Sequence, residues 1–323
     1  MKFLFWFSFG IILYTYFGYP LLLKLLAGKR KEQGEDAPDP FFEPNVSLII
    51  PVHNEEKVIE EKIQNTLSLD YPKNKLEILI ASDASIFLEE DALRNIVRNF
   101  SENLIGCVSG EDYIPGGGGE GAYGRYELVL RNLESRAGSI VGASGCFYAQ
   151  RRSLCEPFPE GMAPDFYSVL ETVEKGYRAV TDSTAKGMMR SVPDPKSEFQ
   201  KKVRTFLRGI TTLLHFKHLL NPFKYGIFSL QLISHKLMRW STGVFLILLF
   251  LSNLFLVGSK FYLTFLLLQV AFYSLAFVGW MGLSRPKIFR IPLFFSMVNL
   301  SALIAWGKYF RGFRQEVWEP SRR

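Results

Sequence analysis

The sequence predicts an α/β domain on a mostly parallel sheet, with membrane helices at both ends. Three observations carry that prediction. Residues 46–109 alternate short apolar runs with helical periods. Residues 3–26 are almost wholly apolar. The last third of the chain returns to apolar segments near membrane length. Of 323 residues, 48% are hydrophobic and 15% aromatic, and this apolar material concentrates at the two ends.

At the N-terminus, residues 1–28 read as a retained transmembrane anchor. Roughly 20 apolar residues span a bilayer core, whereas a signal peptide's apolar region is about 7–15. Lys29, Arg30 and Lys31 come directly after, as on a cytoplasmic side. Residues 29–44 then form a linker, acidic and proline-bearing beyond the basic cluster.

Residues 45–220 hold the domain. VSLIIP at 46–51 is a short buried-strand run. Residues 55–67 carry Ile59, Ile63 and Leu67 on one helical face, and Tyr71-Pro72 ends that helix. Residues 76–82 make a second strand. Residues 91–100 make a helix with Leu93, Ile96, Val97 and Phe100 as its core stripe, and residues 105–109 a third strand. Strand, helix, strand, helix, strand is the order of a parallel sheet with helices on its faces. Ligands of such sheets bind beyond the carboxyl ends of the strands. His53, Asn54, Glu55, Ser82 and Asp83 sit at those ends.

Four glycines at 116–119 precede a helix over 121–137. They could cradle a phosphate or form a flexible loop; neither GxGxxG nor GxxxxGK[ST] is present. Residues 139–149 read as a strand containing Gly142, Ala143, Ser144 and Gly145. Glycines inside a strand mark close approach by a ligand or another backbone. A helix over 164–175 opens with Pro164-Asp165, and Asp165 either caps that helix or aims into the cleft. Residues 198–220 form a long helix with Phe199, Val203, Phe206, Ile210 and Leu213 on an apolar face. Its Lys201, Lys202, Arg204 and Arg208 suit either anionic lipid or a diphosphate. His215 and His218 have no other metal ligand nearby in sequence.

Within 221–240, Ile227, Leu230, Ile233, Leu237 and Trp240 make one stripe, and Gln231, Ser234, His235 and Arg239 lie opposite. That pattern predicts an interfacial amphipathic helix; an ordinary amphipathic surface helix is the alternative. Residues 241–310 hold two or three spans, at 242–257, 261–283 and 291–307, and 311–323 is a basic tail. These segments lack interior ionisable residues, which argues against a transport path. The net charge of +7 flanks the apolar segments, so it reads as membrane orientation, with lipid as partner and no nucleic acid. Cys107, Cys146 and Cys155 form no CxxC pair, as expected of a reduced cytosolic domain.

Five segments in order carry a resemblance: VSLIIPVHNEEKVIEEKIQNTLSLDYP (46–72), LEILIASD (76–83), GEGAYGRYE (119–127), LESRAGSIVGASGCFYAQRRSL (133–154) and PDFYSVLETVEKGYRAV (164–180). Together with the apolar C-terminal third, they resemble membrane-bound family-2 glycosyltransferases, the cellulose-synthase-like and hyaluronan-synthase-like enzymes. The resemblance implies a GT-A-like (Rossmann-like) nucleotide-sugar domain with a mixed, mostly parallel sheet. It implies a UDP-sugar donor, a divalent metal (Mg2+ or Mn2+), and inverting transfer to a saccharide or lipid-linked acceptor. It also implies a plasma (inner) membrane location with the catalytic domain cytoplasmic. By matching position, Asp165 is the catalytic base. Pro51, Asn54, Glu55, Asp83 and Arg204 meet the nucleotide sugar, Gly142, Ser144 and Gly145 the acceptor, and Asp83 the metal. The Gln-x-x-Arg-Trp signature is imperfect here: Gln200 is four residues before Arg204, and Thr205 replaces the tryptophan. That weakens the case for processive polymer synthesis.

The acidic turns depart from the resemblance. Such enzymes carry two of them on the first half of the sheet, and this chain has one. In ILIASDASIFLEED the left side of Asp83 looks like the first turn, and the right side like the continuation of the second. An internal deletion would leave this junction. Asp83 alone would hold a metal weakly unless Glu89, Glu90 or Asp112 helped. A catalytically impaired relative, binding nucleotide sugar or a partner synthase without turnover, is therefore the alternative function.

Overall fold

A computed structural model describes residues 1–29, 38–51, 59–81, 86–113, 119–189, 195–283 and 287–314. The chain opens with α1 (Lys2–Leu13), a π-helical turn at Tyr14–Gly18 and α2 (Tyr19–Lys29). Together they give a helix long and apolar enough to cross a membrane.

β1 (Val46–Pro51) pairs in parallel with β2 (Leu76–Ala81), joined through α3 (Ile59–Leu67). Residues alternate faces along a strand. Val46, Leu48 and Leu76 pack inward on the main core, while Ile49 and Leu79, which are register partners, point outward at 62% and 43% exposure. The apolar run of β1 suggested a buried strand, but among the described residues no layer covers this outer face.

The second sheet has four strands in the order β3-β6-β4-β5. They are β3 (Ile86–Leu88), β4 (Ile105–Tyr113), β5 (Tyr148–Gln150) and β6 (Arg178–Met189). β4 and β6 run parallel, and β3 and β5 flank them antiparallel. Between β3 and β4 lies α4 (Ala92–Arg98), whose Leu93, Ile96 and Val97 are buried. Each such side chain contributes about 1.5–3 kcal/mol on burial. α5 (Gly119–Ala137) comes after β4, and α6 (Pro164–Glu174) precedes β6.

Two sequence expectations change here. The strand expected over 139–149 is restricted to Tyr148–Gln150. Before it, the chain is a loop fixed by specific bonds: the Ile140 amide donates to the Ala179 carbonyl, and Ser144 Oγ accepts from the amides of Cys146 and Phe147. The serine offers the backbone an alternative to a ladder. β6, in contrast, gave no sequence signal. Its RAVTDSTAKGMM mixes small and polar residues, and pairing with β4 and β3 supplies what propensity does not.

α7 (Pro195–His215) starts at a proline and ends before a 3-10 turn at Lys217–Leu220. The single turn α8 (Pro222–Tyr225) is capped by Asn221. Next, α9 (Ile227–Leu232), a π-helical stretch at Ile233–Met238 and α10 (Arg239–Leu254) run without a break. The interfacial helix and the first C-terminal span of the sequence reading are thus one helical path, Ile227–Leu254, of membrane-crossing length. Its polar stripe faces inward: Gln231, Ser234, His235 and Arg239 are buried, whereas Ile227 and Leu230 are exposed. α11 (Lys260–Val278) and α12 (Lys287–Phe310) complete the set. Four helices among the described residues are long and apolar enough to cross a membrane. α12 lies along α7, with Lys202 over the Phe294 ring near one end and Leu207 and Ile210 against Ala305 near the other.

Candidate active site

The site forms where β4, α5, the 142–145 loop, α6 and the Ile227–Leu254 helix converge. Ser109, fully buried in β4, accepts a hydrogen bond from the Ser144 amide at 2.8 Å. Arg131 of α5 donates to Ser109 Oγ and to the Gly110 carbonyl. These bonds fix the loop against the sheet.

On the loop's other side, Asp165 stands in the first turn of α6. The N-cap is Ala163, which makes no side-chain capping bond; its amide donates instead to Thr212 Oγ1 of α7. Arg208 of α7 donates twice to the Met162 carbonyl, at 2.9 and 2.6 Å, steadying the entry to α6. A Cβ placed on Gly145 would stand 3.7 Å from Asp165 Oδ2. Glycine there therefore leaves the carboxylate open space on the loop side. Burial pushes the Asp165 carboxyl above its usual value, against the pull of Lys236, the amides of Asp165 and Phe166, and Arg131. A carboxylate so raised is suited to proton transfer.

Lys236 is the residue that sequence reading missed. A Cβ placed on Gly142 would stand 3.0 Å from its Nζ. The ammonium lies 5.4 Å from the Phe166 ring centroid and 5.7 Å from that of Trp240. Its neighbours form a buried polar network that also went unseen. His235 Nδ1 is 2.6 Å from Glu134 and Nε2 is 3.0 Å from Glu127. Tyr19 of α2 donates to Glu134 at 2.5 Å. Arg239 pairs with Glu127 at 2.7 Å and lies over the rings of Tyr16, Tyr123 and Tyr126. Glu134 Oε2 also accepts from the Val141 amide at 3.3 Å, beside Gly142. The only advance signal was polar spacing along 231–239, where the outward-facing reading was the wrong way round.

The structure thus brings together Asp165, Gly142, Ser144 and Gly145. Pro51 ends β1 opposite Ala81. Arg204 sits on α7, half-buried, one turn before Arg208. Asn54, Glu55 and Asp83 lie outside the described residues. Among the described residues no three Asp, Glu, His or Cys side chains come together as metal ligands. Of the suggested helpers, Glu89 accepts from the Tyr113 hydroxyl. The described residues therefore do not fit a divalent metal by themselves.

No family model matches the chain. A probable glycosyltransferase, YdaM of Bacillus subtilis strain 168, is 44% identical over 59 residues, 18% of this chain and 13% of YdaM. Glycosyltransferase AglE of Haloferax volcanii is 40% identical over 101 residues, 30% of this chain and 29% of AglE. The matched stretches thus span less than a third of either relative. Among solved structures, the mannosyltransferase PcManGT of Pyrobaculum calidifontis, determined with GDP-Man and Mn2+, superposes with a TM-score of 0.67. The superposition covers 95% of this chain and 99% of that one, at 19% identity. The chain therefore has the GT-A-like α/β fold expected from its sequence, with candidate membrane helices at both ends, and shares its overall architecture with that mannosyltransferase.

Proposed function

We propose that the protein is a membrane-bound inverting glycosyltransferase that moves a sugar from a nucleotide-sugar donor to a hydroxyl of a saccharide or lipid-linked acceptor. The observation that carries this reading is Asp165, held in the first turn of α6 and facing the loop at Gly145, with Lys236 packed beside Gly142. In its ionised form Asp165 takes the proton of the attacking hydroxyl. Lys236 and Arg131 lie close enough to favour that ionised form. Attack from the face opposite the leaving nucleotide inverts the anomeric centre. Arg204, on the basic helix α7, belongs to the donor side together with Pro51, Asn54, Glu55 and Asp83. The domain faces the cytoplasm from the plasma membrane in this reading, as the basic flanks favour.

A divalent metal would neutralise charge on the departing diphosphate, and Asp83 is the residue that would hold it. Full-length protein in detergent, supplied with UDP- and GDP-sugars and with Mg2+ or Mn2+, tests the reading. Turnover is expected from one donor, and Asp165→Asn should lower it by about 10²–10⁴-fold. Undiminished turnover in Asp165→Asn would remove Asp165 from the mechanism.

A second reading, an impaired relative that binds without turnover, is favoured by one observation. The chain carries one Ser-Asp turn, at Asp83, where the resemblance implies two acidic turns. Calorimetry separates the two: nucleotide binding with no turnover across the donor panel would support the second. Absence of nucleotide binding with metal present would sink both.

A further inference from the structure

We propose that α12, although long and apolar enough to cross a membrane, does not cross it. It lies along the headgroup boundary on the domain's side, paired with α7, and leaves the other three long helices as spans. This rests on the protein being membrane-bound and not on the reaction it performs.

The helix beside α12 decides its placement first. α7 carries Glu198, Lys201, Lys202, Arg204 and Arg208, and its Leu213 packs with Phe166 and Leu170 of α6. A helix so charged and so tied to the domain stays out of the hydrocarbon. α12 keeps to it nearly end to end. Lys202 lies 4.9 Å from the Phe294 ring centroid. Leu207 and Ile210 pack on Ala305, and Leu214 shares that cluster with Tyr309. The two helices run side by side for about 20 Å. A helix that crossed a hydrocarbon core of about 30 Å would meet α7 at one end only, whichever way α7 pointed.

The other long helices behave differently. The N-terminal helix, the Ile227–Leu254 helix and α11 meet one another along their lengths. Phe5 packs against Leu249, Tyr262 and Phe265, Phe7 meets Phe245, and Asn253 donates to Gln269. α12 meets the Ile227–Leu254 helix over a short stretch. Trp240 packs on the Ala305 cluster, and a Cβ on Gly243 would touch Leu303 and the Asn299 carbonyl. Next to that stretch Arg239 pairs with Glu127 of α5, so the crossing lies at the domain end of the bundle.

The charges agree with this placement. Lys287 and Arg290 open α12, and Lys308, Arg311 and Arg314 close it. Basic residues collect on one side of a membrane, and a spanning α12 would put one group on each side. Lying flat, α12 brings both groups to the headgroups of the leaflet that faces the domain. Trp306, Tyr309 and Phe310 form an aromatic cluster beside the second group, as suits that depth.

Full-length protein in vesicles of phosphatidylcholine and phosphatidylglycerol tests this. Exposed Cys146 and Cys155 are replaced by serine, and Cys107 is buried. Single spin labels are then attached through Leu268→Cys in α11, Leu300→Cys or Phe310→Cys in α12, all at exposed positions. Depth is read from collisions with oxygen against a nickel chelate. The Leu268→Cys label should sit about 15 Å deep, near the bilayer centre. Leu300 is near the middle of α12, yet its label should sit only about 5–10 Å deep, as the Phe310→Cys label does. A Leu300→Cys label as deep as the one at Leu268 would overturn the proposal. A shallow label at Leu268 would overturn it together with the membrane reading. Sidedness gives a second readout, with an impermeant maleimide applied to sealed membrane vesicles. It should reach native Cys155 and Ser321→Cys from one side, and Ser259→Cys, just before α11, from the other. Cys155 and Ser321→Cys reacting from opposite sides would also overturn the proposal.

Discussion

Asp165 was ambiguous from its neighbours in sequence, because an aspartate in a first helical turn can simply favour the helix dipole. Tertiary structure changes the question. Thr212 takes the Ala163 amide, and the loop opposite Asp165 is glycine. Because burial raises the carboxyl, the acid limb of the turnover profile should lie above the ordinary aspartate value. Lys236→Gln should move that limb further up, since the ammonium favours the ionised form. A pH profile of kcat/KM in both proteins checks this, and an unmoved limb would count against Asp165 as the base. Glycines 142 and 145 were legible early because a missing side chain is visible in sequence. Lys236, Glu127 and Glu134 were not, because their meaning depends on partners about a hundred residues away. The same holds for Tyr19. Tyr19→Phe removes a donor from buried Glu134 and should cost about 1–3 kcal/mol, seen as a lower Tm in detergent.

At the scale of elements, helices with a strong apolar period announced themselves, as α4 shows. The Ile227–Leu254 helix was read from sequence as two segments, and its polar stripe as the water-facing side. A polar stripe normally means water, yet here it meets Glu127 and Glu134 of α5, while Ile227 and Leu230 are exposed and Leu237 and Trp240 pack on the core. Hydropathy reports that two faces differ, not which one meets protein. β6 was missed because its register comes from β4 and β3. Its stability has a pH signature. Asp182 of β6 accepts from the amide and hydroxyl of Thr184, from Asn99 and from Arg98. Burial pushes this carboxyl up, but the bonds from Thr184 and Asn99 and the charge of Arg98 outweigh it, so the pKa is lowered. A carboxyl lowered in the folded state adds stability above its unfolded pKa and loses it as pH falls through the folded one. Thermal unfolding from pH 7 down to 3 should therefore show Asp182→Ala less stable than wild type at neutral pH. The gap should narrow only in the acid range. A gap independent of pH would contradict the assignment.

For the molecule as a whole, the N-terminal helix is part of the domain rather than a tether. Tyr19 and Leu23 are buried against Leu130 and Ala137 of α5. Phe5 packs on Leu249 and Tyr262 of the C-terminal helices. A chain lacking residues 1–28 would expose those surfaces and strand Glu134. Burial worth about 1.5–3 kcal/mol per large side chain would be lost several times over. The truncated protein should aggregate or unfold, and a monodisperse truncated protein with unchanged Tm would show the helix to be only an anchor. The outer face of β1 and β2, where Ile49 and Leu79 are exposed among the described residues, has a different consequence, one of time. A two-stranded sheet is marginal alone, so its amides should exchange with deuterium well before those of β4 and β6. Asn54 and Glu55 come directly after β1 in the chain, and a nucleotide held there would ride on the sheet that opens most often. Its dwell time would be set by the breathing of twelve residues, and a covering partner chain would slow release without touching the chemistry.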